Sequence, residues 1–89
     1  MGELLKKCEE YVEFIWHMGN IGAVGLYGAE EMRVQLHEEI CELAGIDHKA
    51  TKAVTDNLPI DFNKEPSGAD IERIAKIMVD EIADMRGEA

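Results

Sequence analysis

Apolar residues recur at helical spacing along most of this chain. With a turn of about 100° per residue, Leu4, Leu5, Cys8, Tyr11, Val12, Ile15, Trp16 and Met18 fall on one face. Lys6, Glu9, Glu10, Glu13 and His17 fall on the other, with Lys7 and Phe14 at the edge. The pattern predicts a first helix over Glu3 to Met18, and Gly19 fits its left-handed stop. A second helix is expected from Ala29, with Gly28 near the N-cap and Glu30 and Glu31 at the positive end of the helix dipole. Tyr27 before that cap is placed to staple onto Met32. Met32, Leu36, Ile40 and Leu43 form its stripe, and Val34 and Cys41 widen it to about half the circumference. So wide an apolar arc calls for neighbours on two sides. Gly45 supplies the stop.

A third, shorter helix follows, with Asp47 as N-cap and Ala50, Val54 and Leu58 on one face. Pro59 ends it, because the residue before a proline avoids the helical region. Pro59 to Pro66 reads as a loop anchored by Ile60 and Phe62. The last helix has Ser67 as N-cap and Asp70 at the capping-box position. Its seam is Ile71, Ala75, Met78, Ile82 and Met85, flanked by Ile74 and Val79. No segment alternates as a strand would. The expected fold is therefore all-α, a small four-helix bundle, orthogonal or up-and-down, forming one domain over residues 1–89. Two apolar residues, Phe14 and Ile77, lie off the main faces and point to a further contact, for which a homodimer is the simplest form.

The connection between the first two helices has glycine at every third position: Gly19, Gly22, Gly25 and Gly28. Apolar residues stand between them, so the segment is expected to be a packed connection or a docking surface rather than a solvated linker. Phe14, Gly22, Gly25, Tyr27 and Ile77 make the candidate contact surface. A phosphate cradle would also put glycines before a helix, but no Gly-Lys-Ser/Thr ending or strand-borne G-x-G-x-x-G is present. Glu30 and Glu31 would repel the anion, and no cofactor is expected.

Charge narrows the functional classes. The chain carries 19 Asp and Glu against 9 Lys and Arg, a formal net charge of −10. That excess disfavours nonspecific binding to nucleic acid and to anionic membranes. The longest mostly apolar run, Ile21 to Ala29, is too short and too glycine-rich to span a bilayer. No export signal is read at the start, and two cysteines do not make a disulfide framework, so a cytoplasmic protein with reduced Cys8 and Cys41 is expected.

Donor residues for a metal are sparse. His37 and Cys41 are four apart on one helical face, His48 follows the turn, and Cys8 and His17 lie on the first helix. No CxxC or HxxxH pair seeds a four-ligand site, so the sequence predicts no metal, with His37 a partly buried histidine in a local hydrogen bond and Cys8 an inert core thiol. The glutamates mostly decorate solvent faces, no Glu-x-x-His pair occurs, and no nucleophile motif is present, so the chain reads as a non-enzyme.

Residues 40–58 resemble the helix-turn-helix of bacterial repressors. Cys41 is small where the motif needs a small residue, Ala44 and Ile46 flank the turn glycine, and Val54 is apolar nine positions after it. Thr51 departs from the usual Val or Ile. The resemblance implies a DNA-binding alternative in which His48, Lys49 and Lys52 face a groove. Glu38, Glu39 and Glu42 crowd the preceding helix, and DNA affinity comes largely from neutralised phosphates, so this alternative ranks second. The leading expectation is a small acidic helical protein acting through protein–protein contacts, of a build shared by small accessory proteins of bacteria and phages. Its acidic faces also suit a basic partner surface.

Overall fold

The computed structural model describes residues 2–22 and 27–87, and of Tyr27 only the backbone. Four helices occupy them: α1 (Gly2–Asn20), α2 (Tyr27–Ala44), α3 (His48–Asp56) and α4 (Gly68–Met85). No strand occurs among the described residues. The all-α four-helix bundle expected from the periodicity is the fold observed.

The first helix is central. It packs against both α2 and α4, while α3 closes the bundle by touching α2 and α4. Leu4, Cys8, Tyr11, Val12 and Trp16 of α1 are buried, as the face predicted. They meet Leu36, Ile40 and Ala44 of α2, Val54 of α3, and Ile74, Ala75, Met78 and Ile82 of α4. On α4, Ala75, Met78 and Ile82 of the predicted seam are buried, Ile71 is half-buried, and the seam differs at two positions. Ile74, expected at the flank, is fully buried, whereas Met85 at the end of the seam is exposed. The helix faces two neighbours at once, α1 and α3, so its centre of burial turns toward the position that touches both.

Helix ends follow their capping residues, with differences. The side chain of Asp47 accepts from the Ala50 amide at 2.8 Å, and Gly45 adopts the left-handed φ of +70° that stops α2. Ser67 accepts from the Asp70 amide at 3.2 Å. The Asp70 carboxylate does not reach back to the Ser67 backbone as a capping box would; it accepts from the Ser67 hydroxyl and from Lys64 instead. Those two bonds, Lys64 first, hold its carboxyl below the usual range. Helix α3 ends at Asp56, ahead of Pro59, where the Asn57 amide side chain donates to the Ala53 carbonyl at 2.9 Å.

The glycine segment is corrected at both ends. Gly19 is not the stop of α1; it lies inside the helix, and Gly22 takes the left-handed φ of +74°. What Gly19 provides is space, because a Cβ there would collide with the ring of Phe62. Phe62 is thus seated on α1 although 43% exposed. Gly28 is not an N-cap either, since α2 begins at Tyr27. Gly25 and the Tyr27–Met32 staple lie outside the described residues.

The loop between α3 and α4 is bound to α1 by two further bonds. The Trp16 indole N–H donates to the Lys64 carbonyl at 2.7 Å, and the Asn20 amide donates to the Phe62 carbonyl at 3.1 Å. Arg86 donates to the Ala44 carbonyl at 2.9 Å, joining the ends of α4 and α2. No helix among the described residues is long and apolar enough to cross a membrane.

Replacing a serine N-cap with alanine removes one bond to an otherwise orphaned amide. Ser67→Ala is therefore expected to lower unfolding free energy by about 1 kcal/mol in urea denaturation, with an unchanged m-value.

Candidate functional site: the α1–α2 groove and the α2–α3 corner

The second helix has more apolar surface than it has neighbours. Leu36, Ile40, Cys41 and Ala44 are buried, but Met32, Val34 and Leu43 remain exposed. Met32 and Leu43 were expected within the buried stripe. They fall outside it because the packing of α2 is chiefly on α1 and α3, which leaves one edge of its wide arc uncovered. Beside Met32, α1 contributes Phe14, and the two helices enclose a shallow groove of about 410 Å³. Phe14, Met32 and Leu36 form its apolar lining, with Glu10, Glu13 and His17 around it.

This places one of the predicted contact residues, Phe14, in a definite setting. It is half-buried, packed against the core, and joined in the groove by Met32. Ile77 is half-buried on a different helix, α4, and Gly22 is exposed just after α1. Gly25 and the Tyr27 side chain lie outside the described residues. Met32 was legible as apolar, but its exposure was not, because periodicity reports the width of an apolar arc and not what covers it.

The corner between α2 and α3 builds a second arrangement. His37 and Cys41 are one turn apart on α2, and the turn at Gly45 brings His48, the first residue of α3, back beside them. The two imidazole rings stack with centroids 5.6 Å apart and planes 13° from parallel. Both Nδ1 atoms face Cys41 Sγ, from 4.0 Å for His37 and 3.8 Å for His48. Thr51, fully buried, stands behind the thiol at 3.0 Å. Among the described residues, His37, Cys41 and His48 have donor atoms close enough together to hold a metal. Cys8 is elsewhere, in the core, where burial pushes its thiol up to about 12. His17 lies on the rim of the α1–α2 groove.

A cleft of about 560 Å³ opens next to the corner. Both histidines line it, with Tyr11, Arg33, Lys52 and Asp56. Its two cations are paired, Lys52 with Asp56 at 2.6 Å and Arg33 with Glu30. Burial pushes the Tyr11 phenol up, so it stays protonated at neutral pH. Burial first, then the neighbouring His48, holds His37 below the ordinary histidine value.

The residues of the helix-turn-helix resemblance are placed as follows. Ala44 and Val54 are buried, Ile46 packs against the core, and Thr51 fills the inward position despite its hydroxyl. That hydroxyl is satisfied by Cys41 and by the Asp47 carbonyl. Of the residues proposed to face DNA, His48 stacks on His37, Lys52 is paired with Asp56, and Lys49 is exposed. No family model, curated protein or solved structure matches the chain.

A histidine held below 6.5 in the folded protein takes up its proton more readily when unfolded. Its effect on stability is therefore absent well above pH 6.5 and appears as a loss of stability as pH falls through that value. In thermal melts from pH 8 to pH 5, His37→Gln is expected to show a shallower acid-side decline than the parent protein.

Proposed function

We propose that this protein is a small acidic binding protein, not an enzyme, that works through protein–protein contact, and that the groove between α1 and α2 receives a cationic amphipathic helix of a partner. The observation carrying this reading is the uncovered apolar edge of α2. Met32, 42% exposed, lines the groove with Phe14, and Glu13 and Glu10, the latter paired with Lys7, stand on its rim. An apolar floor with an acidic rim matches a helix with apolar anchors and flanking lysines or arginines. A second copy fits less well, because each chain brings a net charge of −10 and the same acidic rim to the contact. A reducing, cytoplasmic setting accords with two free cysteines.

The DNA-binding alternative draws less support. Two of its three contact residues already have partners within the protein, and the net charge opposes approach to phosphates.

Titration of the ¹⁵N-labelled protein with a synthetic Leu/Lys amphipathic helix tests the groove. At low salt the amides of Glu10, Glu13, Phe14, His17, Met32 and Leu36 should shift together, and Met32→Lys should weaken binding by at least about tenfold with helix content retained. Shifts scattered evenly over every acidic face, indifferent to Met32→Lys, would show simple charge attraction and sink the proposal. Shifts confined to His48, Lys49 and Lys52 on adding duplex DNA instead would favour the alternative.

A further inference from the structure

The α2–α3 corner has a donor set that the protein-contact reading leaves unused. Two imidazoles and one thiol converge, one donor atom from each lying within 4.8 Å of the others. An ion with tetrahedral angles, bonded at about 2.05 Å to nitrogen and about 2.3 Å to sulfur, requires N···S separations of about 3.6 Å. The observed separations are 3.8 Å for His48 and 4.0 Å for His37. The two nitrogens must also come to about 3.3 Å from each other, so the rings have to move toward one another as well as toward the sulfur. Both Nδ1 atoms already face the same thiol, and because each imidazole lone pair lies in its ring plane, the two rings must turn out of their stack to aim at a common ion.

We propose that His37, Cys41 and His48 bind a transition-metal ion of the zinc class through two imidazole nitrogens and one thiolate, with the remaining coordination place filled by solvent. The donor chemistry selects the class. Nitrogen and sulfur suit zinc, cobalt, nickel or copper, whereas magnesium and calcium take oxygen ligands. Among the described residues no fourth His, Cys, Asp or Glu joins the group, which makes the site an open one with three protein ligands. Local charge permits a dication, since Lys52 and Arg33 nearby are each neutralised by a carboxylate. The net charge of the chain attracts one. Binding exchanges the Cys41 S–H bond for a metal–sulfur bond and releases that proton to solvent, with both imidazoles neutral and no change of oxidation state.

Thr51 is a positioning residue for this site. Its hydroxyl donates to the Asp47 carbonyl at 3.0 Å, so in the metal-free protein its oxygen accepts the Cys41 S–H. When the thiol proton leaves, the same hydroxyl is within reach to donate to the thiolate, steadying the sulfur as an outer-shell partner does. This gives the buried threonine a reason that the helix-turn-helix pattern, which favours Val or Ile there, does not supply.

The test uses the full chain and cobalt(II) as the probe. One equivalent should give the visible ligand-field bands of a four-coordinate ion together with a near-ultraviolet thiolate-to-cobalt charge-transfer band, and zinc should bleach both. Cys41→Ser should abolish the charge-transfer band. His37→Gln and His48→Gln should each weaken cobalt binding by at least about tenfold, and Thr51→Val should keep the band with an affinity loss of about 10–100-fold. Cys8→Ser and His17→Gln should leave the spectrum unchanged. In the parent protein, one equivalent of zinc should shift the imidazole resonances of His37 and His48 and leave His17 in place, a reading that depends on no variant. Absence of the charge-transfer band in the folded parent protein, or its survival in Cys41→Ser, would overturn the proposal. Cobalt held only by surface carboxylates, with no thiolate band, would overturn it equally. His17, on the rim of the α1–α2 groove, enters these readings only as a control, and the readings that decide the metal site lie at the α2–α3 corner, so the two proposals stand or fall separately.

Discussion

Everything in this fold depends on one helix having two partners. α1 lies between α2 and α4, and its buried line Leu4, Cys8, Tyr11, Val12 and Trp16 supplies the surface on which both pack. Burying one large apolar side chain contributes about 2 kcal/mol, so losing the face of α1 would leave α2 and α4 with almost nothing to bury against. α3, nine residues long, adds little core of its own and acts as a corner piece. The consequence for α2 is geometric. Served by α1 and by the short α3, it retains an uncovered edge where Met32 and Leu43 meet solvent.

The same short corner has a second effect. Because α3 begins three residues after Gly45, the side chains of the last turns of α2 and the first turn of α3 are forced into one small volume. Most of what meets there is polar: two imidazoles, a thiol and the Thr51 hydroxyl. Polar groups sharing a partly buried space must satisfy one another or a ligand, and among the described residues no buried side-chain nitrogen or oxygen lacks a partner. The corner therefore combines a structural turn with a polar cluster, whereas the α1–α2 groove has an apolar lining of Phe14, Met32 and Leu36.

Much of this was legible in the sequence, and the misses share a cause. The number of helices, the face of α1, the caps at Asp47 and Ser67 and the stop at Gly45 follow from spacing and local hydrogen bonding, which need no knowledge of neighbours. The burial of Ile74, the exposure of Met32 and Leu43 and the seat that Gly19 makes for Phe62 depend on which helix lies where. Periodicity cannot report that. The His37–Cys41–His48 cluster was half visible. An i, i+4 pair on one face was evident, but its closure by His48 requires the direction in which α3 leaves the corner. Thr51 read as a defect in a motif and proved to be the hydrogen-bond partner of Cys41.

Trp16 gives the architecture a built-in reporter. It is the chain's one tryptophan, buried on α1, and its indole N–H is held by the Lys64 carbonyl in the loop that leads into α4. The polar end of that ring therefore senses a segment 48 residues away in sequence, while its apolar body senses the core. Peeling the loop from α1 would hydrate the indole without melting a helix. Intrinsic fluorescence and helical circular dichroism thus observe different events in this molecule, and a gap between the two signals would measure how independently the α3–α4 connection detaches.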